Sequence, residues 1–312
     1  MLASRTKRKI GAFKLPFDIK TYLTTRAAMV DEALEKVMLP ADAYPQTIHD
    51  AMRYSLFAGG KRLRPILVMA TYEGFGKDPR DVVVIAAALE MIHTFTLIHD
   101  DLPCIDDGEM RRGKPTSHKV YGEDMAVLAG DALLNYAFEV IATEGLRRKF
   151  PPETVLKVIV ELSHALGTQG VLGGQVVDVE TAKRDDVTDA ELEYIHRHKT
   201  AAFFVGAMRI GGHLAGASKE QMALLDEFSD AFGLAFQIWD DVLDVTADVE
   251  ALGKDVGHDA ATGKKTFVTV YGLDRAKQLA RMYADKAHAA LSELGGMDAL
   301  QALTEFIVTR GS

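Results

Sequence analysis

Two clusters of aspartates are the residues in this chain whose spacing most clearly suggests chemistry. The first reads Asp100-Asp101-Leu-Pro-Cys-Ile-Asp106-Asp107, and the second reads Asp240-Asp241-Val-Leu-Asp244. Asp240 and Asp244 lie one helical turn apart, and like charges at that spacing destabilise a helix unless a cation lies between them. Mg²⁺ typically takes one or two protein carboxylates and completes its shell with water and phosphate oxygens. The clusters therefore predict magnesium sites for a phosphorylated ligand.

A single cluster of this kind would more often be a solvated acidic surface. Here each cluster directly follows an apolar run, which is Phe95-Thr-Leu-Ile-His in one case and Ala235-Phe-Gln-Ile-Trp in the other. Two such segments, about 140 residues apart, could face each other across a helical bundle. Because Pro103 prevents a regular helix, a helix end or kink must bring Asp106 back near Asp100.

Basic residues beside glycines complement the acidic clusters. They occur in Gly59-Gly60-Lys61-Arg62-Leu63-Arg64, Met110-Arg111-Arg112-Gly113-Lys114, His198-Lys199-Thr200, Gly253-Lys254 and Gly263-Lys264. Arginine forks and lysine charges at close approaches are what a diphosphate needs, although each stretch alone would read as a basic loop. His93, seven residues before Asp100, is placed to bond a second phosphate group, whereas a lone histidine is more often a core residue. The GxxxxGK[ST] spacing of a P-loop is missing, which disfavours nucleotide hydrolysis.

The elements that must position these residues are predicted to be helices. Apolar residues recur every three or four positions in segments 21–37, 82–99, 125–144, 153–166, 191–214 and 219–245. Alternating β-branched runs are scarce, and most prolines fall between the helical segments. The pattern predicts one all-α domain over residues 1–312, with ten or more helices and with residues 1–20 as a peripheral or poorly ordered segment. The runs 86–88 and 231–236 are apolar on most sides and should be central.

Composition narrows the class of protein further. The 312 residues are 48% hydrophobic, enough for a large core, and the net charge of −9 argues against binding to nucleic acid. The single cysteine, Cys104, excludes an intramolecular disulfide and fits a reducing compartment. We find no signal-peptide pattern and no run of about 18 uncharged apolar residues, so a cytoplasmic protein with no membrane span is expected.

Taken in order, five motifs resemble those of the trans-isoprenyl diphosphate synthases, and most of all the bacterial farnesyl and geranylgeranyl diphosphate synthases. The motifs are GGKRLRP, IHTFTLIHDDLPCIDDGEMRRGKPTSH, GGQVVD, HKTA and FQIWDDVLD. The similarity extends from about Tyr22 to Arg310. It implies an all-α homodimer with a deep central cavity, at whose mouth both aspartate motifs lie.

The resemblance also implies roles for individual residues. Metal binding falls to Asp100, Asp106, Asp240 and Asp244, supported by Asp101, Asp241 and Asp259, with Gln175 and Asp178 nearby. Allylic diphosphate binding falls to Arg111, Lys199, Thr200, Gln237, Lys254 and Lys264, and isopentenyl diphosphate binding to Gly60, Lys61, Arg64, His93 and Arg112. Asp100, Asp106, Arg111, Lys199, Asp240 and Lys254 form the implied catalytic set. Three Mg²⁺ ions per active site are implied, with Mn²⁺ as a substitute.

The implied reaction is a head-to-tail condensation of isopentenyl diphosphate with an allylic diphosphate such as dimethylallyl or geranyl diphosphate. Cations neutralise the departing diphosphate, and an apolar pocket protects the allylic cation. Phe95 and Thr96 are the implied chain-length residues, since in the family an aromatic side chain five residues before Asp100, with two extra residues inside the first motif, accompanies a fifteen-carbon product. Farnesyl diphosphate is therefore the preferred product and geranylgeranyl diphosphate the alternative.

Three other classes of protein are weighed against this interpretation. A terpene cyclase would share the first motif but would not need a second diphosphate site formed by Lys61, Arg64 and His93. A non-catalytic synthase subunit usually lacks one aspartate motif, and both are present here. A di-iron helical bundle would require glutamates and Glu-x-x-His pairs inside its helices, which the clusters do not provide.

Overall fold

The computed structural model describes residues 17–182, 184, 186–246 and 266–310, and helices dominate them. The first seven are α1 (Ile19–Val37), α2 (Gln46–Leu56), α3 (Leu63–Gly74), α4 (Val83–Asp100), α5 (Ser117–Tyr121), α6 (Glu123–Arg147) and α7 (Pro152–Leu166). The others are α8 (Val171–Thr181), α9 (Asp189–Ile195), α10 (Ala202–Ala215), α11 (Lys219–Thr246), α12 (Phe267–Tyr271), α13 (Leu273–Leu294) and α14 (Asp298–Thr309). A 3₁₀ turn (Pro79–Asp81) precedes α4, and a π-helical turn (His196–Ala201) joins α9 to α10. The all-α prediction is confirmed.

The only sheet in the described residues is a two-stranded antiparallel ribbon. Its strands are β1 (Met110–Arg111) and β2 (Lys114–Pro115), paired as Met110 with Pro115 and Arg111 with Lys114. Arg112 and Gly113 form the connecting turn, with φ of 53° and 75°. Positive φ at both central residues is what a tight type I′ hairpin requires. The ribbon therefore fixes the directions of the Arg111 and Lys114 side chains.

Sequence periodicity predicts most helix positions well, with one informative exception. Segment 219–245 corresponds to Lys219–Thr246, and segment 153–166 corresponds to Pro152–Leu166. Segment 191–214, expected as one helix, is divided by the π-helical turn. A π turn inserts an extra residue into a helix and shifts the face that follows, a feature often found at functional sites.

Two helices form the centre of the bundle. In α4 every residue from Ile85 to Ile92 is buried, and in α11 every residue from Ala231 to Ala235 is buried. Continuous burial means that neighbours surround the helix on all sides, and α4 packs against α1, α3 and α6. Both runs were predicted to be central. Because both aspartate clusters stand at the carboxyl ends of these runs, the core holds both clusters in place.

Three helical segments are long and apolar enough to cross a membrane if length and composition alone are considered. They are Val83–Asp100, Glu123–Arg147 and Pro152–Thr181. The apolar part of the first segment is 61% buried inside the protein, and that of each of the others is 39% buried. The expected lack of a membrane span therefore stays a prediction, and α6 to α8 carry apolar surface that the described residues do not cover.

Candidate active site

The first aspartate cluster lies where α4 ends. α4 terminates at Asp100, and the chain then turns back so that the backbone N–H of Asp106 donates to the carbonyl oxygen of Asp100 at 3.0 Å. The N–H of Asp107 also donates to the Leu102 carbonyl at 3.1 Å. The predicted return of Asp106 to Asp100 is confirmed, and the two carboxylates leave the same compact turn.

Asp100 carries an unusual charge balance. Burial raises the pKa of its carboxyl group to about 6, and the nearby negative charges of Asp106 and Asp101 act in the same direction. The positive charges of Lys199 and Arg111 oppose this shift without cancelling it. A further cation would stabilise the Asp100 carboxylate, because Lys199 and Arg111 only partly balance the effects of burial and of the neighbouring negative charges.

Asp101 is a partner of Arg111 and not an open carboxylate. It is 4% exposed and accepts two hydrogen bonds, from Arg111 Nε and Nη2, both at 2.6 Å. A Cβ on Gly108 would lie 2.7 Å from Asp101 Oδ1, so glycine gives this carboxylate its space. The bidentate pair fixes the guanidinium of Arg111 next to Asp100. The geometry fits the supporting role predicted for Asp101.

The basic residues predicted for the second diphosphate form one cluster beside α4. The guanidinium of Arg64 lies over the rings of Phe203 and Phe204, with centroid distances of 5.0 and 4.9 Å. Burial lowers the pKa of Arg64 to about 10, and the charge of Arg112 adds to that effect. Burial also lowers the pKa of His93 well below its usual value, and four arginines including Arg64 and Arg112 add to the shift. His93 is therefore neutral at physiological pH and retains both a donor and an acceptor.

Glycines admit Arg112 to this basic cluster. A Cβ on Gly60 would lie 2.8 Å from the Arg112 guanidinium, and Arg112 Nη1 donates to the carbonyl oxygen of Gly59. Gly60 has a φ of 137°, a conformation that side-chain-bearing residues rarely adopt. Lys61 is exposed at the edge of the same loop. The glycines of the GGKRLRP segment thus let Arg112 approach closely, and its basic residues add positive charge.

Arg62 and Glu90 are residues that the sequence interpretation missed. Both are buried, at 2% and 1% exposure, and Arg62 Nη1 lies 3.0 Å from Glu90 Oε1. Arg62 Nε also pairs with Asp31 Oδ1 at 2.8 Å, and Arg112 Nη2 is 3.9 Å from Glu90. Glu90 thus supplies a buried negative charge among the cations. A glutamate inside the otherwise apolar α4, three residues before His93, was the available signal.

The π-helical turn presents Lys199 towards the first cluster. Lys199 Nζ donates to Asp178 Oδ2 at 2.5 Å, and its charge also acts on Asp100. Two glycines let the backbone of the turn come close to its neighbours. A Cβ on Gly174 of α8 would lie 2.2 Å from Lys199 N, and one on Gly233 of α11 would lie 2.6 Å from Ala201 Cβ. Glycines in two helices therefore set the position of Lys199 and of the half-buried Thr200.

The second cluster separates into one buried and two more accessible aspartates. Asp241 is 3% exposed and accepts from Gln237 Nε2 at 3.0 Å and from the Phe267 backbone N–H at 2.8 Å. His196 Nε2, in the π-helical turn, is 3.9 Å from Asp241 Oδ2. Asp240 is 51% exposed and pairs with Arg310, while Asp244 is half-buried one turn further along α11. Asp241 therefore organises the cluster, and Asp240 and Asp244 offer oxygen atoms.

The π-helical turn is the feature that relates the two clusters. Lys199 acts on Asp100 of the first cluster, and His196 contacts Asp241 of the second. Gln175 and Asp178 of α8 lie beside the same turn, and the buried Gln175 Nε2 has no hydrogen-bond acceptor in the described residues. Lys254, Asp259 and Lys264 fall outside the described residues. The individual binding roles stay predictions.

The donor chemistry of the clusters fits a divalent metal ion. Asp100 and Asp106 leave one turn and repel each other, which a cation between them would relieve. In the described ranges no three side chains from Asp, Glu, His and Cys already converge as a metal cage. Mg²⁺ normally keeps several waters and uses one or two carboxylates together with substrate phosphates, so it does not require such a cage.

The predicted chain-length residues lie on α4 below the first cluster. Phe95 is 6% exposed, and its ring packs edge-on against His99 at a centroid distance of 4.8 Å. The His99 ring lies against Gly130 of α6, where a Cβ would be 2.3 Å from Nε2. Thr96 Oγ1 donates to the His93 carbonyl oxygen at 2.9 Å. Phe95 and His99 thus form a ring pair on α4, and His99 in turn packs against α6.

Two cavities accompany the site. The first lies behind Asp101 and Arg111, against α2 and the ribbon, and includes Thr94 and Ser117 in its lining. The second lies on the far side of the π-helical turn, where Arg197 and His198 belong to its lining. Neither is lined by both aspartate clusters, so the deep central cavity stays a prediction.

Comparisons with known proteins agree with this geometry. The model of the polyprenyl synthetase family matches residues 45–295. A chloroplastic geranylgeranyl pyrophosphate synthase of Catharanthus roseus is 45% identical over 94% of this chain and 82% of its own length. A geranylgeranyl diphosphate synthase of Cyanophora paradoxa is 42% identical over 95% and 98% of the two chains. The crystal structure of an FPP/GFPP synthase from Zymomonas mobilis superposes with a TM-score of 0.81 at 34% identity, covering 94% and 99%.

Proposed function

The chain belongs to the polyprenyl synthetase family and elongates prenyl chains, and we propose that its main product is geranylgeranyl diphosphate. Its substrates are isopentenyl diphosphate and allylic diphosphates. The proposal for the product follows the relatives from Catharanthus and Cyanophora, which are named geranylgeranyl synthases. These names support the alternative from the sequence interpretation better than its preferred product, farnesyl diphosphate.

The observation that carries the catalytic proposal is the π-helical turn between the two aspartate clusters. It places an ammonium group, Lys199, where it acts on Asp100, and an imidazole, His196, next to Asp241. A diphosphate between the clusters would meet positive charge from Lys199 and from Arg111, whose guanidinium is fixed by Asp101. Fixed cations aimed at the leaving group stabilise the charge that develops as the C–O bond breaks.

Magnesium ions are proposed as part of this site. Asp100 and Asp106 of the first cluster, and Asp240 and Asp244 of the second, would hold them, and when bound they would supply further positive charge for the diphosphate. Three such ions per active site, with Mn²⁺ as a substitute, remain part of the proposal. Arg111 and Lys199 would then orient the allylic diphosphate.

The second substrate is proposed to bind at the basic cluster beside α4. Arg64 and Arg112 lie close enough to His93 to lower its pKa, and the exposed Lys61 belongs to the same loop as Arg64, so this cluster can bind the diphosphate of isopentenyl diphosphate. Holding the double bond beside the allylic carbon makes the encounter effectively unimolecular. The released diphosphate is the proposed base for the final proton transfer.

Farnesyl diphosphate stays as a second candidate because of one observation. The buried Phe95 ring lies on α4, five residues before Asp100, which is about 7.5 Å of helix rise. If the growing tail follows α4 away from the metals, this ring would stop it early. The similar protein from Zymomonas mobilis is called an FPP/GFPP synthase, a name that includes farnesyl diphosphate.

A homodimer is proposed as the working assembly. Apolar side chains are exposed on three consecutive helices: Val127 and Leu128 on α6, Leu156 and Val160 on α7, and Leu172 and Val176 on α8. On α7 and on α8 the exposed pairs are spaced one turn apart, so that each pair forms a stripe. Clustered exposed apolar side chains typically mark an interface, and a second copy of this chain is the partner that we propose.

Product sizing tests the proposed function. The enzyme is incubated with isopentenyl diphosphate and, in turn, dimethylallyl, geranyl or farnesyl diphosphate, with and without Mg²⁺. We expect a twenty-carbon product from all three and no turnover with EDTA. Accumulation of the fifteen-carbon product, with farnesyl diphosphate refused as substrate, would establish the second candidate. The variant Arg281→Gln, which changes an exposed ion pair on α13, serves as the control.

A further inference from the structure

Arg310, directly after α14, lies across α11 beside the second aspartate cluster. Its guanidinium carbon is 4.6 Å from the centre of the Phe236 ring, and its Nη2 is 3.4 Å from Asp240 Oδ1. Its carbonyl oxygen accepts a hydrogen bond from Trp239 Nε1 at 3.1 Å. Phe236, Trp239 and Asp240 lie on one face of α11, so a single residue contacts three positions of that face.

The contact of Arg310 with Asp240 is long, although the Arg310 side chain is largely shielded from solvent. The Arg310 side chain is 12% exposed, but the pair has one long contact and Asp240 is 51% exposed. The buried Arg310 Nε has no hydrogen-bond acceptor in the described part of the chain. Burial lowers the pKa of Arg310 and the Asp240 charge opposes this, so the carboxylate favours the charged guanidinium. An ion pair whose carboxylate is exposed is weakened by solvent screening.

The structural contacts of Arg310 do not account for its pairing with Asp240. The carbonyl of Arg310 already ties the end of α14 to Trp239, and its guanidinium stacks on Phe236. Neither contact needs Asp240. The charged contact instead falls on the accessible aspartate of the cluster, while the buried Asp241 is occupied by Gln237 and the Phe267 N–H.

We propose that Arg310 is the resting counter-ion of Asp240 and competes with a divalent metal ion for that carboxylate. The guanidinium neutralises Asp240 while no metal is present, and it gives way when the ion binds. A pair with one long contact to an exposed carboxylate is easily displaced, so the metal ion binds with only a small loss of affinity. This inference rests on the proposed metal site of the second cluster.

Metal binding, measured without turnover, tests the inference. Free Mn²⁺ is followed by electron paramagnetic resonance during titration of the wild type and of two neutral variants, Arg310→Gln and Arg310→Met. We expect both neutral variants to bind Mn²⁺ more tightly by about two- to fivefold, as loss of such an ion pair requires. Arg310→Lys, which keeps the charge, should restore most of the wild-type value.

The matched control is Arg281→Gln. Arg281 pairs with Glu305 of α14 at 2.8 Å and is 51% exposed, so the variant removes a guanidinium from another surface. This control should leave Mn²⁺ affinity unchanged. Trp239 is the only tryptophan, and its bond to the Arg310 carbonyl does not involve the arginine side chain. The tryptophan emission of all variants should therefore match the wild type, which confirms that α14 stays in place.

Asp240→Asn separates two kinds of failure. If this variant binds Mn²⁺ as well as the wild type, Asp240 is not a metal ligand, and both the metal site there and the counter-ion role are overturned. If Asp240→Asn weakens binding while the two neutral Arg310 variants bind Mn²⁺ like the wild type or less tightly, only the counter-ion role is overturned. Weaker binding would instead make Arg310 a support for the site.

Discussion

At the scale of single residues, Asp100 shows how the fold prepares a carboxylate for a cation. The residue ends a buried helix, and its own cluster adds two further negative charges. Burial is the larger cause of its raised pKa, and the nearby cations do not compensate for it. The site is therefore electrostatically incomplete in the metal-free protein, which is the condition under which a divalent ion gains most.

The raised pKa of Asp100 has a consequence for stability. The usual pKa is 3.8 and the folded value is about 6, so the folded protein holds this proton more tightly than the unfolded chain. The stabilisation is present below about pH 4 and is lost as pH rises through about 6. We therefore expect metal-free Asp100→Asn to exceed the wild type by about 1–2 kcal/mol in unfolding free energy at pH 7.5. Denaturant unfolding in EDTA measures this difference.

The difference in unfolding free energy between Asp100→Asn and the wild type should shrink towards zero as the pH approaches 4, where the wild-type Asp100 carboxyl is also neutral. The exposed Asp42 offers a control, because Asp42→Asn should follow the wild type at every pH. A constant difference between Asp100→Asn and the wild type from pH 4 to 7.5 would contradict the assignment of the shift to burial of this carboxyl.

Phe95 provides a test of product length. Removing its ring opens space on α4 beside His99, along the path proposed for the growing tail. We expect Phe95→Ala to shift the products by at least one five-carbon unit, as measured by chromatography of labelled products. The lost ring should also reduce the unfolding free energy by about 3–5 kcal/mol. An unchanged product distribution in a folded variant would remove Phe95 as the floor.

Sequence reasoning at this scale succeeded where a local constraint decided the geometry. Pro103 forces the chain out of the helix, and Asp106 returns to Asp100 within six residues. It failed where partners lie far apart in sequence. The contact of Arg310 with Asp240 joins residues 70 positions apart, and no local pattern predicts it.

At the scale of elements, close packing of glycines around the π-helical turn positions Lys199. Gly174 and Gly233 come from helices on two sides of the turn, and each leaves no room for a Cβ. The turn itself divides a segment that periodicity predicted as one helix, because apolar spacing does not register a single extra residue. Gly174 of the GGQ motif therefore packs directly against the backbone of Lys199 in the HKTA motif.

Gly174→Ala should displace the turn and Lys199 with it. The added Cβ would lie 2.2 Å from Lys199 N, and backbone has to move to accommodate it. We expect kcat to fall on the order of tenfold to a hundredfold, since displacements of about 1 Å at a reacting group cost this much. Steady-state kinetics measures it. Gly167→Ala, whose Cβ would be 3.0 Å from Ser163 O between α7 and α8, is the milder control and should retain most activity.

The pair of Arg62 and Glu90 joins α3 to α4 beneath the basic cluster. Both side chains are 2% exposed, so removal of the Glu90 charge leaves the buried guanidinium of Arg62 with Asp31 as a remaining carboxylate partner. We expect Glu90→Gln to lower the unfolding free energy by about 1–3 kcal/mol, because the acceptor of Arg62 Nη1 loses its charge. Denaturant unfolding measures the change. Glu32→Gln breaks an exposed pair with Lys36, both 68% exposed, and should leave the unfolding free energy close to that of the wild type.

If Glu90→Gln proved as stable as the wild type, the pair would be dispensable to the fold. Sequence reasoning did not identify it, because Arg62 lies among basic residues expected to bind substrate. The left-handed backbone of Arg62, with a φ of 50° and a ψ of 33°, turns its side chain inward to Glu90 and Asp31. The composition of a motif therefore predicts positive charge, but it does not show which basic side chain pairs with carboxylates of the protein and which is left to bind substrate.

At the scale of the whole molecule, the fold class and the central helices followed from the sequence because helical periodicity is dense and continuous. The runs 86–88 and 231–236 are apolar on most sides, which is possible only for helices surrounded by others. How the two clusters are related did not follow from periodicity. It depends on the π-helical turn, whose His196 lies 3.9 Å from Asp241 and whose Lys199 acts electrostatically on Asp100.

The exposed apolar stripes on α6 to α8 test the proposed assembly of the molecule. Val160 is 48% exposed on α7, and a charge there would be buried in a dimer at high cost. We expect the wild type to be a dimer in sedimentation equilibrium and Val160→Lys to be a folded monomer. Met282→Lys, at a 51% exposed apolar residue on α13, should remain dimeric. A wild-type monomer that binds lipid vesicles through these helices would instead assign the stripes to a membrane surface.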